Sequence, residues 1–177
     1  MAPPPNEKMM MRTFTARVAA PALLLVALAG VSGCGVLGET AEPAVRDESG
    51  EITESSEADV FSLQVGDCLN ETTTEETAEV TSVPTVPCGD PHDSEAYAAT
   101  DMPDGDYPGD QAVIDASDAF CYEQFATFVG LSYDESVYGY TGFFPTKDTW
   151  EQLDDRTLQC IVSSEEPVTD SLKGVAE

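Results

Sequence analysis

Four cysteines, Cys68, Cys88, Cys121 and Cys160, lie downstream of a short hydrophobic run near the amino terminus, and these two features together constrain the fold most. Lys8, Arg12 and Arg17 precede the uncharged stretch VAAPALLLVALA, Val18 to Ala29. Its 12 residues make about 18 Å of helix, well short of a hydrocarbon core of about 30 Å. The run therefore reads as the h-region of an export signal rather than a permanent span. A domain sent to an oxidising compartment with an even number of cysteines is expected to close disulfides, and four cysteines permit three pairings.

Val31-Ser32-Gly33-Cys34 follows the apolar run: an aliphatic residue, two small residues, then cysteine. This order resembles a lipobox, the processing signal of bacterial lipoproteins. It implies cleavage after residue 33, acylation of the Cys34 thiol and a lipid anchor in the cell membrane, with the domain on the extracytoplasmic side. Residues 34–58 are polar, lack aromatics and show no helical or strand period, so they read as the lipidated cysteine followed by a disordered acidic tether. A flexible chain of that length spans about 25 to 30 Å. The folded domain is placed at residues 59–166, with a loose tail at 167–177.

The chain carries 34 acidic and 7 basic residues, a formal charge of −27. Removing residues 1–33 leaves Arg46, Lys147, Arg156 and Lys173 as the basic residues. Without a basic stripe the chain has no means of displacing counterions from a phosphate backbone, which argues against a nucleic-acid partner. Anionic lipid and wall polymers are repelled for the same reason, so an acyl chain rather than surface charge is expected to hold the protein at the membrane.

Within the domain, VFSLQVGDCL suggests a strand with Phe61, Leu63 and Val65 on one face, ending at a Gly66-Asp67 turn. AEVTSVPTVPC and SEAYAATDM read as further strands. After Asp110, a helix N-cap candidate, Val113, Ile114, Ser117, Phe120, Cys121, Phe125 and Phe128 recur at helical spacing until Gly130 stops the run. SVYGYTGFFPTKDTW and DRTLQCIVSSEE read as late strands, the second with Leu158, Cys160 and Val162 facing one way. The predicted class is α+β: a small antiparallel sheet with one long helix packed on it. Because Cys121 lies on the apolar helix face and Cys160 on the inward face of a strand, that pair is favoured, leaving Cys68 for Cys88. Loops of about 20 and 40 residues closed this way would contribute roughly 3 to 4 kcal/mol each. The cysteine spacings lack a C-x-x-C pair, which argues against a zinc site formed by them.

The stretch VPCGDPHDSEAY holds the chain's one histidine among acids. His92 with Ser94 or Ser117 would be the elements of a hydrolase, but no nucleophile elbow, S-x-x-K or oxyanion-hole glycine run accompanies them. Asp101, Asp104, Asp106 and Asp110 are weak calcium candidates whose spacing departs from the D-x-D-x-D-G loop. No cofactor or other metal is expected. A calcium-dependent binding protein or an envelope hydrolase using the acidic loops is the alternative to a non-enzymatic module.

Taken in order, FSLQVGDCLN, VPCGDPHDSEAYA, DGDYPG, the helix ending FVG, PTKDTW and DDRTLQCIV resemble the septum formation domain of actinobacterial envelope proteins, over about Phe61 to Val162. In that family V-G-D-C, P-C-x-x-P-H-x-x-E, P-T-x-x-x-W and G-D-R-x-x-x-C recur. Asp154 stands where the last pattern has glycine. The resemblance implies a membrane-associated, non-enzymatic envelope protein that meets an envelope protein or wall component. His92, Glu95, Trp150 and Arg156 are then expected to form a polar structural cluster or binding surface, with Arg156 paired to Asp67 or Glu95.

Overall fold

The computed structural model of the protein describes residues 41–70 and 80–177. Among these, six strands form one antiparallel sheet: β1 (Ser56–Asp59), β2 (Cys68–Leu69), β3 (Ser82–Val86), β4 (His92–Asp101), β5 (Gly139–Phe143) and β6 (Thr157–Val168). Their spatial order is β1-β3-β2-β4-β6-β5. Helix α1 (Asp110–Val129) packs on the sheet, and a short helix, α2 (Lys147–Gln152), follows β5. The architecture is the α+β arrangement expected from the order of elements.

The middle of β6 explains how the layers meet. Leu158 to Val162 are buried in succession, a pattern that requires cover on both faces of the sheet. Cys160 and Val162 share a cluster with Cys121, Phe125, Phe128 and Val129 of α1, whereas Ile161 joins Val60, Leu63, Leu69, Val83 and Ala96. Tyr97 of β4 meets the Phe125 ring edge-on at 6.0 Å and donates its hydroxyl to the Cys121 carbonyl at 2.6 Å. That bond supplies the polar end of a buried tyrosine with a partner. Phe125 is fully buried, and enclosing a side chain of that size contributes roughly 2 to 3 kcal/mol. The two disulfides are Cys68–Cys88 and Cys121–Cys160, as favoured by the sequence, with Cα separations of 5.2 and 5.3 Å.

Helix α1 stops at Gly130, whose φ of 90° suits the left-handed end of a helix. Its start differs slightly from expectation. Gly109 is the cap, and Asp110 is the first helical residue, where its charge meets the positive end of the helix dipole. Val113, Ser117, Cys121, Phe125 and Phe128 face inward as predicted, but Ile114, about 100° further round the helix, is exposed.

Three other expectations need correction. The VFSLQV segment is not a strand: the Asp59 side chain accepts the Phe61 N–H and starts a short 3-10 turn over Val60–Ser62. Burial therefore falls on Val60 and Leu63, three residues apart, and leaves Phe61 and Val65 exposed. Residues 41–58, read as part of a tether, are structured instead. Glu42 bridges Ala58, Arg46 bridges Ile52, β1 pairs with β3, and Ala44, Ile52 and Ala58 form a small apolar cluster. The tail after Glu166 is not loose either. β6 continues to Val168, Leu172 is buried, and the N–H groups of Gly174 and Ala176 donate to the Phe128 and Val129 carbonyls at 2.8 and 2.9 Å. The tail thus satisfies carbonyls that the end of α1 leaves without intrahelical partners.

Candidate functional site

The VGDC turn, the PCGDPHDSE stretch and the carboxyl-terminal tail converge at the start of β4. Gly66, at φ 98°, takes a backbone conformation that side chains disfavour, and its N–H donates to the Ala96 carbonyl at 2.7 Å while Ala96 N–H donates to the Asp67 carbonyl at 2.9 Å. This docks Cys68 opposite Glu95 in the β2–β4 ladder. The Cys68–Cys88 bond then ties β2 to the turn that leads into β4.

His92 is fully buried and Glu95 nearly so. Three residues apart on a regular strand, they would point to opposite faces. A register shift between His92 and Ser94 breaks the alternation, and ligand atoms of His92, Glu95 and Cys68 lie within 4.8 Å of one another. His92 Nδ1 lies 2.9 Å from the Asp90 carbonyl. A carbonyl only accepts, so Nδ1 carries a proton, and Nε2 is the ring nitrogen left for another partner. That Nε2 is buried and has no hydrogen-bond partner.

Glu95 is held by the tail rather than by its neighbours. Ser171 Oγ donates to its two carboxylate oxygens at 2.8 and 3.0 Å, and Leu172 N–H donates at 2.7 Å. Burial raises the Glu95 pKa above the ordinary carboxylate value, opposed by these hydrogen bonds and by the attraction of His92 and Lys173. A cavity of about 720 Å³ opens beside the cluster, lined by Gly50, Gln64, Glu95, Tyr97, Phe128 and Lys173 among others.

Asp67 has a partner that the sequence reading missed. Arg46, assigned there to the tether, makes a bidentate ion pair with the Asp67 carboxylate and also donates to the Gly50 and Ser62 carbonyls at 3.0 and 3.1 Å. Asp67 is 4% exposed and Arg46 14%. The usable signal was that Arg46 is one of few basic residues, followed by the turn-forming stretch DESG.

Trp150 and Arg156 do not join this cluster, contrary to expectation. They sit near the other end of β4, where Asp101 pairs with Thr157, about 20 Å along the strand from Glu95. The Arg156 guanidinium stacks 3.8 Å from the centre of the Trp150 ring, donates to the Trp150 and Asp155 carbonyls, and pairs with exposed Asp154 at 2.9 Å. Trp150 Nε1 donates to the Gly105 carbonyl at 2.9 Å, and Tyr107 packs on the ring at 5.6 Å. Asp154, at φ 56°, adopts the left-handed turn for which the family pattern uses glycine. The group is a self-contained stack that fixes the loop before α1.

Of the calcium candidates, Asp110 accepts from Tyr107 and Asp101 from Thr157. Among the described residues, Cys68, His92 and Glu95 are the one set of three or more His, Cys, Asp or Glu side chains with ligand atoms gathered within 4.8 Å, so the four aspartates do not converge. Ser94 Oγ donates to Asp93 rather than meeting His92, and the Ser117 hydroxyl on α1 is buried without a partner. Cys34 lies outside the described residues.

The fold and site define a disulfide-stapled α+β module, of the kind suited to an oxidising extracytoplasmic compartment. A family model described as septum formation matches residues 31–160, and the chain belongs to that family. Neither a curated protein nor a solved structure matches the chain. Among the described residues, no helix is long and apolar enough to cross a membrane.

Proposed function

We propose that the protein is a lipid-anchored module on the extracytoplasmic side of the cell membrane that binds an envelope protein or wall component during septum formation and catalyses no reaction. Membership of the septum formation family carries this reading. The two disulfides and the Val31-Ser32-Gly33-Cys34 signal support export and anchoring. The cavity beside Glu95 offers a concave surface for a partner where the folded amino-terminal segment, the sheet, α1 and the tail meet.

Two experiments test it. Cys34→Ser should abolish acyl labelling and release the protein from the membrane fraction; a variant that still sediments with membranes refutes the anchor. A photo-crosslinking side chain at Gln64 or Gln124, both lining the cavity, should capture a discrete envelope component in growing cells, and one placed at exposed Leu153 should not. Equal products from both positions would refute the cavity as the binding surface.

A further inference from the structure

The buried cluster at the start of β4 has a property that partner binding does not use. His92 Nε2 is a buried ring nitrogen with no hydrogen-bond partner, and a ring nitrogen of His92, a Glu95 carboxylate oxygen and the Cys68 sulfur lie within 4.8 Å of one another. An unpaired buried nitrogen beside a buried carboxylate is costly. A dication placed between them would supply the missing charge to both.

The supporting bonds are those of a metal site. The ligand nitrogen of a metal-bound histidine is usually fixed by a hydrogen bond from the other ring nitrogen, and here Nδ1–H donates to the Asp90 carbonyl, leaving Nε2 free. Ser171 Oγ and Leu172 N–H likewise orient the Glu95 carboxylate. One element is out of place: Cys68 is bonded to Cys88, and a disulfide sulfur is a poor ligand where a thiolate is a strong one.

We propose that reduction of the Cys68–Cys88 disulfide converts this cluster into a site for a thiophilic divalent cation of the zinc class, held by Cys68 Sγ, Cys88 Sγ, His92 Nε2 and a Glu95 oxygen. A dithiol reductant gives two electrons and two protons to the disulfide and is itself oxidised to a disulfide, leaving two protein thiols. The cation displaces both thiol protons and is bound by two thiolates, one imidazole and one carboxylate. Bond lengths of about 2.0 to 2.3 Å in a tetrahedral set place ligand atoms about 3.5 Å apart. For Cys68, His92 and Glu95, whose ligand atoms lie within 4.8 Å of one another, this is a contraction of up to about 1.3 Å; Cys88 lies outside that set, and its sulfur has to swing in once the bond to Cys68 opens. Cys88 is partly exposed, whereas Cys121 and Cys160 are fully buried, so the first bond is the more accessible to reductant. This inference is independent of anchoring and of the proposed partner.

The test uses the full-length chain in detergent, treated with a mild dithiol until mass analysis after alkylation shows one disulfide opened, then freed of reductant and titrated with Co²⁺ as the probe. The expected result is one ion per chain, with a sulfur-to-cobalt charge-transfer band and the intense visible bands of tetrahedral coordination, displaced by Zn²⁺. The untreated, oxidised chain should show neither band. His92→Gln and Glu95→Gln should each weaken binding by at least about tenfold, and Cys121→Ala/Cys160→Ala should leave the spectrum intact. The proposal is overturned if the reduced chain binds no cobalt, or if both single variants bind as the parent does. It is equally overturned if the bands survive in Cys68→Ser/Cys88→Ser. A reduced chain that loses its near-ultraviolet circular dichroism and does not regain it with metal also rules it out.

Discussion

Arg46→Ala removes a guanidinium that makes four hydrogen bonds: two to the Asp67 carboxylate of the VGDC turn and one each to the Gly50 and Ser62 carbonyls. Asp67 would remain buried with the Gln64 N–H, at 2.7 Å, still donating to it. Breaking a buried pair by deleting one partner costs about 3 to 5 kcal/mol, most of it for the uncompensated charge left behind. Because one hydrogen bond to Asp67 survives and Arg46 is partly exposed, about 2 to 3 kcal/mol is the better figure for this pair. In a domain of this size each kcal/mol shifts the melting temperature by about 4 °C, so a fall of about 8 to 12 °C is expected. Thermal and urea unfolding of the oxidised protein measure it. Combining Arg46→Ala with Asp67→Asn should cost much less than the sum of the two single variants, because the stranded charge is then absent. A loss below about 0.5 kcal/mol for Arg46→Ala, the size of an ordinary surface substitution, would show that residues 41–58 behave as a tether after all.

The remaining predictions concern other parts of the fold. The Glu95 pKa is raised above 4.5 in the folded protein, so its contribution to stability is greatest below that value and is lost as pH rises through the folded pKa. The unfolding free energy of the parent minus that of Glu95→Gln should therefore decline from about pH 4.5 toward neutrality, and a difference that is flat or rises with pH contradicts the burial argument. Asp154→Gly should be neutral or stabilising by up to about 1 kcal/mol, since glycine takes the left-handed backbone without a Cβ penalty and the ion pair to Arg156 is exposed on the Asp154 side. Asp154→Val should cost about 1 to 2 kcal/mol, and equal unfolding midpoints for the two variants would remove the conformational explanation. A Cβ at Gly142 would collide with Ser117 Oγ, so Gly142→Ala should cost about 1 to 3 kcal/mol in denaturant unfolding. Ser117→Ala, which deletes a buried hydroxyl without a partner, should rescue much of that loss; no rescue would mean that the strain lies elsewhere.

What could be read from residues alone followed from strong local periodicity. Helix α1 was legible because Val113, Ser117, Cys121, Phe125 and Phe128 repeat a helical spacing between turn residues, and that face then fixed Cys121 opposite Cys160. The VFSLQV segment misled because alternation of Phe61, Leu63 and Val65 imitates a strand, whereas one side-chain bond from Asp59 to the Phe61 N–H starts a turn and changes the period. Residues 41–58 and the tail were missed for a different reason. Their order depends on long-range partners, among them Asp67 for Arg46 and Glu95 for Ser171 and Leu172, which no local pattern announces. The grouping of His92, Glu95, Trp150 and Arg156 failed in the same way. His92 and Glu95 lie at the start of β4, whereas Trp150 on α2 and Arg156 just before β6 lie near its far end, and no local pattern announces that separation.

The two disulfides also set how far the molecule can be stretched. Each closes a loop that a pulling force cannot pay out: Cys68 and Cys88 are 20 positions apart in sequence, and Cys121 and Cys160 are 39 apart. At about 3.4 Å per extended residue, roughly 200 Å of contour is locked away while both bonds persist. Even with its sheet pulled apart, the domain is a short leash. Opening the first bond alone would lengthen it by about 70 Å, so the redox state of Cys68 and Cys88 governs mechanical reach.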